Sequence, residues 1–297
     1  MSTAYQQLLD ATLQHLEELK RRGVRFASVS AATLTKLSQA PPPAPAPAAL
    51  VAPTTRPEVP PQKPVLAPAL LLPTPASTEA APVLPAMDPA TKAEAMRELR
   101  ERALVCLKCP HLASSRKNVV FGVGDIHAQL MFVGEAPGAD EDEQGEPFVG
   151  AAGQLLTRII QTMGLSRDRV YIANILKCRP DTPGQRSGNR KPTADEMKTC
   201  IPYLHSQIDL IQPKVLVALG GVAVEGLLGQ SGITRLRGQW HTYRGIPLMP
   251  TFHPSFLLRS MSPADKRRVW EDMLQVMERL QMRINEKQRG FFLPRGA

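Results

Sequence analysis

Four cysteines are the residues of this chain best suited to bind a metal. Cys106 and Cys109 form a C-x₂-C pair, a spacing that brings two sulfurs within reach of one metal. Cys178 and Cys200 lie far downstream, with 21 residues between them. Four cysteines in 297 residues are too few for a disulfide-rich secreted scaffold, which favours thiols or metal ligands. Ligand count alone leaves both zinc and a [4Fe–4S] cluster open, because each accepts four thiolates.

Three other polar side chains lie at or just after the carboxyl ends of short apolar runs. They are Glu135, Asn174 and His253. A carboxylate can stabilise positive charge or activate water, an amide offers a donor and an acceptor, and an imidazole can donate a hydrogen bond. Each of these residues taken alone is a weak signal, since turns and loops contain the same residue types. Their value depends on whether the fold brings them together.

The elements that would position these side chains follow from the hydrophobic pattern. Apolar runs that predict strands are 129–134, 170–176, 214–220 and 246–252. Segments with helical periodicity are 91–105, 152–163, 193–211, 221–228 and 263–280. Strands that alternate with helices predict a three-layer α/β/α fold with a central four-stranded parallel sheet. Ligands bind outside the carboxyl ends of such strands, so we expect the candidate residues on one edge of the sheet.

A sharp change in composition divides the chain. Residues 41–89 hold 16 of the 29 prolines, no aromatic residue and only five charges, so they cannot bury a core. The pattern predicts an amphipathic N-terminal helix over 1–28, a Pro/Ala-rich disordered linker over 29–89 and a folded domain over 90–297. The helix either docks on its own domain or binds a protein partner, and both readings stay open.

Charge and missing motifs narrow the function classes. The net charge is +9, of which +8 falls on residues 90–297, so a polyanionic partner is expected. No P-loop, H-E-x-x-H or G-x-S-x-G motif occurs, and Gly122-Val-Gly124 lacks the third glycine of a dinucleotide fingerprint. There is no run of 18 apolar residues, and residues 1–25 contain acids and no apolar core. We therefore expect no membrane span, no secretory signal and a cytoplasmic location.

Three motifs in order carry a resemblance to a known family. Gly134-Glu-Ala-Pro-Gly-Ala-Asp-Glu-Asp142 with Gly145-Glu-Pro-Phe-Val-Gly-Ala-Ala-Gly153 resembles the first motif of the iron–sulfur (family 4) uracil-DNA glycosylases. Tyr171-Ile-Ala-Asn-Ile-Leu-Lys-Cys-Arg-Pro180 is similar to the second, and His253-Pro-Ser-Phe-Leu-Leu-Arg259 to the third. The resemblance covers about residues 95–283, and the three motifs with two cysteine pairs are very specific.

This resemblance implies a DNA-repair enzyme. Such an enzyme flips uracil out of single- or double-stranded DNA, hydrolyses the N-glycosidic bond of deoxyuridine and leaves an abasic site. Glu135 would stabilise the oxocarbenium-like sugar and orient or activate water, and His253 would donate to uracil O2. No lysine is placed as a Schiff-base nucleophile, so no lyase step is implied.

The resemblance also implies a set of substrate-binding residues. Phe148 would stack on the flipped ring, and the amide of Asn174 would complement O4 and N3–H of uracil but not cytosine. Glu141 would lie near C5 and help to exclude the methyl group of thymine, and Gly134 belongs to the same motif. For the acids at 140–143, a solvated acidic loop is the competing interpretation.

A further set of residues is expected to contact DNA. The members are Gly220, Gly221, Ser255, Leu257, Leu258 and Arg259. Leu257-Leu258-Arg259 is a candidate wedge, in which an apolar side chain fills the vacated stack and arginine holds a phosphate. The two glycines and Ser255 would let a phosphate approach backbone N–H groups. We expect the DNA-bound protein to be a monomer associated with a bacterial nucleoid.

The resemblance implies that Cys106, Cys109, Cys178 and Cys200 hold a [4Fe–4S] cluster. The loop 181–188 is longer than expected for the family, but it lacks histidine, so ordinary turnover is favoured over covalent bonding to DNA. Two other functions remain as alternatives. One is a non-catalytic iron–sulfur DNA-binding module, and the other is a zinc-stabilised nucleotide-binding domain.

Overall fold

The computed structural model describes residues 88–180 and 189–293. The predicted N-terminal helix, nearly all of the predicted linker and the loop 181–188 lie outside the described residues. Within the described residues, no helix combines the length and the apolar character needed to cross a bilayer.

Helices and short strands alternate along the described chain. In order they are α1 Pro89–Leu104, α2 Pro110–Ser115, β1 Val123–Gly124, β2 Leu130–Gly134, α3 Ala139–Gln144, α4 Ala151–Thr162, a 3₁₀ turn Arg167–Arg169, β3 Tyr171–Asn174, α5 Ala194–Ile211, β4 Val215–Leu219, α6 Gly221–Leu228, α7 Ile233–Leu236, β5 His241–Tyr243, β6 Ile246–Thr251, α8 Pro254–Ser260, α9 Pro263–Arg279 and α10 Glu286–Gly290.

The six strands form one sheet in the order β1-β3-β2-β4-β6-β5. The pairs β3–β2, β2–β4 and β4–β6 are parallel, whereas the edge strands β1 and β5 pair antiparallel. The mixed α/β class is as predicted, but the sheet has two more strands than the four expected. Both additional strands are short and only partly buried, so they lack the continuous apolar run that identified the other four.

Alternating side chains of the central strands pack against helices on both faces of the sheet. On one face, Met131 and Val133 of β2 join a core that includes residues of α1, α5 and α6. On the other face, Leu130 and Phe132 join a core formed with α4 and α9. Strands buried on both faces have apolar side chains in either direction, which is why β2 and β4 are continuous hydrophobic runs.

Helix α5 starts where the sequence indicates. Thr193 Oγ1 accepts a hydrogen bond from the Glu196 N–H at 3.2 Å, and Glu196 Oε2 accepts one from the Thr193 N–H at 2.8 Å. This capping box fixes the first turn of the helix that carries Cys200. The acids at 140–143, which a solvated loop would also explain, instead lie in helix α3, and Asp142 is buried.

Candidate active site and cysteine set

The carboxyl ends of β2, β3, β4 and β6 open onto a cleft of about 1010 Å³. Nine of the predicted site residues line it: Glu135, Glu141, Phe148, Asn174, Gly220, Gly221, His253, Ser255 and Arg259. Side chains from separate segments of the sequence therefore line one cavity. This arrangement follows from the parallel pairing, which places the four strand ends on the same edge of the sheet.

Asn174, the last residue of β3, lines the cleft. It is 2% exposed, and its Oδ1 has no hydrogen-bond partner among the described residues. Gly134 is paired with it across the sheet, and a side chain at Gly134 would collide with Asn174 Oδ1 and with the ring of Phe148. A buried acceptor without a partner costs about 1–3 kcal/mol, so its presence beside a cavity points to a ligand that donates a hydrogen bond.

Glu135 follows β2 and is partly buried in the cleft wall. Burial raises the pKa of its carboxyl above the ordinary value, and the charge of Lys191 partly offsets this effect. The backbone of Glu135 is held in place, because its carbonyl accepts a hydrogen bond from the Leu176 N–H at 3.1 Å. A carboxylate in such a site keeps only part of its hydration, which strengthens its interaction with a developing positive charge.

His253 caps helix α8 and presents a neutral imidazole. Its Nδ1 accepts a hydrogen bond from the Ser255 N–H at 3.2 Å and lies 2.8 Å from Ser255 Oγ. Burial, together with the charge of Arg259, lowers the pKa of His253 to about 4. With Nδ1 used as an acceptor, the proton of the neutral ring resides on Nε2, which is free to donate.

Gly220 lies beside this histidine and explains how close the two loops come. Its φ is +90°, and a Cβ there would meet the Cβ of His253 at 2.8 Å. The Gly220 N–H donates to the Thr251 carbonyl at 2.8 Å, just as the Ser255 N–H donates to His253. The N–H groups of Gly220 and Ser255 therefore already donate hydrogen bonds inside the protein. The predicted contact between Gly221 and a phosphate stays a prediction.

Phe148 lies beside His253 in the lining of the cleft. Its ring centroid lies 5.6 Å from that of the imidazole, and the residue is 6% exposed. Its backbone has a φ of +56°, which is unusual for an aromatic residue. The ring lies close to Gly134, which pairs with Asn174 across the sheet.

Glu141 lines the cleft but uses both of its oxygens to order the surrounding loops. Oε2 accepts a hydrogen bond from the Gly138 N–H, and Oε1 accepts hydrogen bonds from the N–H groups of Val149 and Gly150, each at 3.0 Å. The carboxylate therefore connects the loop after β2 to the loop that carries Phe148. Its predicted role near C5 of the base stays a prediction.

The predicted wedge is reduced to one leucine. Leu257 is 4% exposed and packs against Phe252 and Val269, so it belongs to the core and cannot enter DNA without unpacking. Leu258 is 40% exposed, and Arg259 beside it lines the cleft. Helical spacing explains the difference, because adjacent residues of α8 point in different directions.

Two basic residues that the sequence pattern does not single out also support the site. Buried Lys177 donates from Nζ to the Asn174 carbonyl at 2.8 Å and to Gln207 Oε1 at 2.7 Å. Burial lowers the pKa of Lys177 to about 7. Arg167, in the 3₁₀ turn, donates to the carbonyls of the loop that carries Phe148. Neither residue has a sequence signal that separates it from the exposed basic residues around it.

The four cysteines are free thiols, of which Cys178 is buried and the other three are partly buried. Burial raises the pKa of Cys109, Cys178 and Cys200, the last to about 11, and the nearby Cys106 raises all three further. Each of the four thiols therefore lies within electrostatic reach of others in the set. Within the described ranges 88–180 and 189–293, no three His, Cys, Asp or Glu side chains form a group that could hold a metal ion.

The donors around the cysteine set suit thiolates. Arg116 Nη1 donates to Cys178 Sγ at 3.1 Å, and the Lys177 N–H donates to Cys200 Sγ at 3.3 Å. Such N–H donors to sulfur are a recurring means of tuning iron–sulfur sites. Four thiols with these donors have the chemistry of a four-thiolate site, but the described part of the structure gathers no three of them into a group that could hold a metal ion. Binding would therefore have to draw the thiols together, and it would release their protons.

Comparison with known proteins assigns the chain to a family. The family model described as "Uracil DNA glycosylase superfamily" matches residues 121–274, more than half of the chain. The type-4 uracil-DNA glycosylase of Thermotoga maritima is 43% identical over 188 residues, which cover 62% of this chain and 93% of that protein. The type-4 enzyme of Sulfurisphaera tokodaii is 40% identical over 195 residues, covering 62% and 84%.

A type-5 relative is more distant. The type-5 uracil-DNA glycosylase of Pyrobaculum aerophilum is 29% identical over 187 residues, which cover 52% of this chain and 80% of that protein. The higher identity and coverage lie with the type-4 proteins. The chain therefore belongs to the uracil-DNA glycosylase superfamily and, within it, to the type-4 family.

Proposed function

We propose that this protein is a DNA-repair uracil-DNA glycosylase, which hydrolyses the N-glycosidic bond of deoxyuridine and leaves an abasic site. Its family membership supports this function. The observation that carries it is the buried Oδ1 of Asn174, which has no hydrogen-bond partner among the described residues, on a residue that lines one cleft with Glu135 and His253. Uracil supplies the missing donor through its N3–H group.

Recognition of the base follows from the chemistry of one amide. Asn174 Oδ1 accepts the N3–H of uracil, and its Nδ2 donates to O4. Cytosine has no N3–H and presents an amine at C4, so two donors would face each other and Oδ1 would stay unpaired. A base can enter the cleft only after it leaves the stack, which costs a few kcal/mol and costs least in single strands and mismatches. We therefore propose that the enzyme flips uracil from both single- and double-stranded DNA.

Bond cleavage uses Glu135 and His253 as catalytic residues. As the bond from C1′ to N1 breaks, positive charge develops on the sugar and negative charge on uracil. The Glu135 carboxylate stabilises the sugar cation and accepts the proton of the water that adds to C1′. The His253 Nε2–H donates a hydrogen bond to uracil O2, where the negative charge collects. A neutral imidazole suits this role, because it donates a hydrogen bond to uracil without transferring its proton to the base.

Two residues shape the space around the base. Phe148 stacks on one face of the uracil ring. Glu141 holds the Phe148 loop and, in this proposal, also crowds the position of a 5-methyl group and so disfavours thymine.

Binding of DNA uses charge and one apolar side chain. The net charge of +8 on residues 90–297 attracts the phosphates, and this term weakens with salt. Arg259 holds a phosphate beside the cleft, and Leu258 fills the space that the flipped base leaves. Gly221 lets a phosphate approach the backbone closely at the start of α6.

The cysteine set holds a [4Fe–4S] cluster in this proposal, with Cys106, Cys109, Cys178 and Cys200 as ligands. When bound, the cluster would supply four iron–thiolate bonds that tie the Cys106–Cys109 segment to the segments after β3 and within α5. Because Cys178 lies four residues after Asn174, this link orders the base-binding strand end. The protein would act as a cytoplasmic monomer on nucleoid DNA, and residues 1–28 would bind a protein partner.

Base selectivity tests the proposal. The protein is incubated with labelled single-stranded oligonucleotides that carry uracil, thymine or cytosine at one position. Alkali then cuts the strand wherever an abasic site has formed. We expect one cut, at uracil alone. Cutting at cytosine at a comparable rate would contradict the role of Asn174, and cutting at thymine at a comparable rate would contradict the role of Glu141. Binding without cutting would favour the non-catalytic iron–sulfur module, and absence of absorption near 400 nm would favour zinc.

A further inference from the structure

We infer that Arg167 is a positioning residue that holds Phe148 in its stacking conformation. The inference rests on the proposed stacking role of Phe148. Its starting point is the backbone of Phe148, whose φ of +56° lies in a region that aromatic residues seldom adopt. Residues held in such conformations need neighbours that fix them, and they concentrate at ligand sites.

The contacts of Arg167 address both backbone dihedrals of Phe148. Nη2 donates to the Pro147 carbonyl at 2.8 Å, and Nη1 donates to the Phe148 carbonyl at 3.1 Å. The first carbonyl belongs to the peptide plane before Phe148 and the second to the plane after it. Fixing both planes fixes φ and ψ of the residue between them. Thr157 Oγ1, 3.3 Å from Nη1, holds the guanidinium in place from α4.

Glu141 completes the clamp from the opposite side. It accepts hydrogen bonds from the N–H groups of Val149 and Gly150 at 3.0 Å. The Val149 N–H belongs to the same peptide plane as the Phe148 carbonyl that Arg167 contacts. That plane is thus held at both ends, by a cation on its carbonyl and by an anion on its N–H.

Arg167 acts at a distance from the reaction. It does not line the cleft, and it is half-buried beneath the Phe148 loop. Burial lowers the pKa of Arg167, and the nearby Glu146 partly offsets this effect. A partly buried guanidinium with two carbonyl partners serves a geometric purpose, because its planar fork can contact two carbonyls at once and a lysine ammonium lacks that fork.

Loss of the fork should release Phe148 toward an ordinary φ and move its ring away from the base position. Misplacement by about 1 Å far from the chemistry can cost about 100-fold in rate. We therefore expect Arg167→Ala to lower kcat/KM on a uracil-containing single strand by about 100-fold. Arg167→Lys should also lose most of this kcat/KM. It keeps the positive charge, but its ammonium cannot contact both carbonyls as the guanidinium fork does.

A double-mutant cycle separates positioning from a general structural role. Excision of uracil is measured for wild type, Arg167→Ala, Phe148→Ala and the double variant, with thermal unfolding measured alongside. If Arg167 acts through Phe148, adding Arg167→Ala to Phe148→Ala should cost less than about 3-fold. Arg169→Ala is the matched control, since this exposed arginine lies in the same turn, and it should keep wild-type activity.

Three outcomes would overturn the inference. They are wild-type activity in Arg167→Ala, full multiplication of the two single losses in the double variant, and an equal loss in Arg169→Ala. If Arg167→Ala does not fold, Arg167→Lys takes its place in the cycle. A wild-type protein that excises no uracil would instead contradict the proposed function, so the two failures are distinguishable.

Discussion

Replacing Asn174 with leucine should make the protein more stable and much less active. Leucine keeps the branched shape of the side chain but removes the Oδ1 acceptor, which is buried and has no partner among the described residues. In a core position without function, such a group would be removed with little loss. In this protein we expect it to be kept because uracil pairs with it.

The two magnitudes follow from the same hydrogen bonds. An unpaired buried acceptor costs about 1–3 kcal/mol, and leucine is somewhat larger, so we expect a gain of about 1 kcal/mol in the free energy of unfolding. On the bound base, N3–H and O4 would each lose a partner. At about 2 kcal/mol for each group, the transition state loses about 4 kcal/mol, or roughly 10³-fold in kcat/KM.

The assay pairs urea unfolding with uracil excision from a single-stranded oligonucleotide. Ser260→Ala is the matched control, because Ser260 Oγ is the other buried side-chain atom without a partner among the described residues. It should gain a similar stability and keep its activity. Asn174→Ala, which adds no bulk, guards against a clash between leucine and Gly134.

Two results would contradict the role of Asn174. If both variants at Asn174 excise uracil within about 10-fold of wild type, the amide does not read the base. If both are less stable than wild type while Ser260→Ala is more stable, Asn174 has a structural partner and its free acceptor is not held for a ligand.

Three further predictions concern other parts of the site. Because burial raises the pKa of Glu135, excision should fall as pH drops, with a midpoint above that of an exposed glutamate, and Glu135→Gln should lose both most of the rate and this pH dependence. Leu258→Ala should slow excision from double-stranded DNA more than from single strands at unchanged stability, measured as the ratio of the two rates. Leu257→Ala should instead lower the free energy of unfolding by about 2–5 kcal/mol in urea, and the reverse result would exchange their roles. Cys109→Ser should remove absorption near 400 nm and weaken DNA binding in a filter or anisotropy assay before it alters the preference for uracil; unchanged absorption would contradict the ligand set.

The main features of the sheet could be predicted because its inner strands are buried on both faces. Runs such as 129–134 and 214–220 contain little besides apolar residues, and their parallel pairing follows from the helices between them. The edge strands β1 and β5 have only 2 and 3 residues, too few for a pattern to appear. Short helices such as α3 escaped for the same reason, since a six-residue segment spans fewer than two turns.

The site could be predicted by residue type but not by contact. Motif order indicated Glu135, Asn174 and His253, and the carboxyl-edge rule indicated a shared cleft. The sequence does not show that Nδ1 of His253 is held by Ser255, nor that Arg167 reaches the Phe148 loop, 19 residues earlier in the chain. Such contacts depend on side-chain directions after the chain has packed. The leucine pair at 257 and 258 shows the same limit, because their directions differ by about 100° around α8 and only the packing decides which of the two is buried.

The most direct test of the account measures binding and cleavage together. Wild type and Glu135→Gln are mixed in excess with a labelled strand that holds one uracil, binding is followed by anisotropy, and abasic sites are cut with alkali. We expect both proteins to bind with similar affinity and only the wild type to cut, at uracil. Equal binding with no cutting by either protein would contradict the proposed function and leave a DNA-binding module in its place.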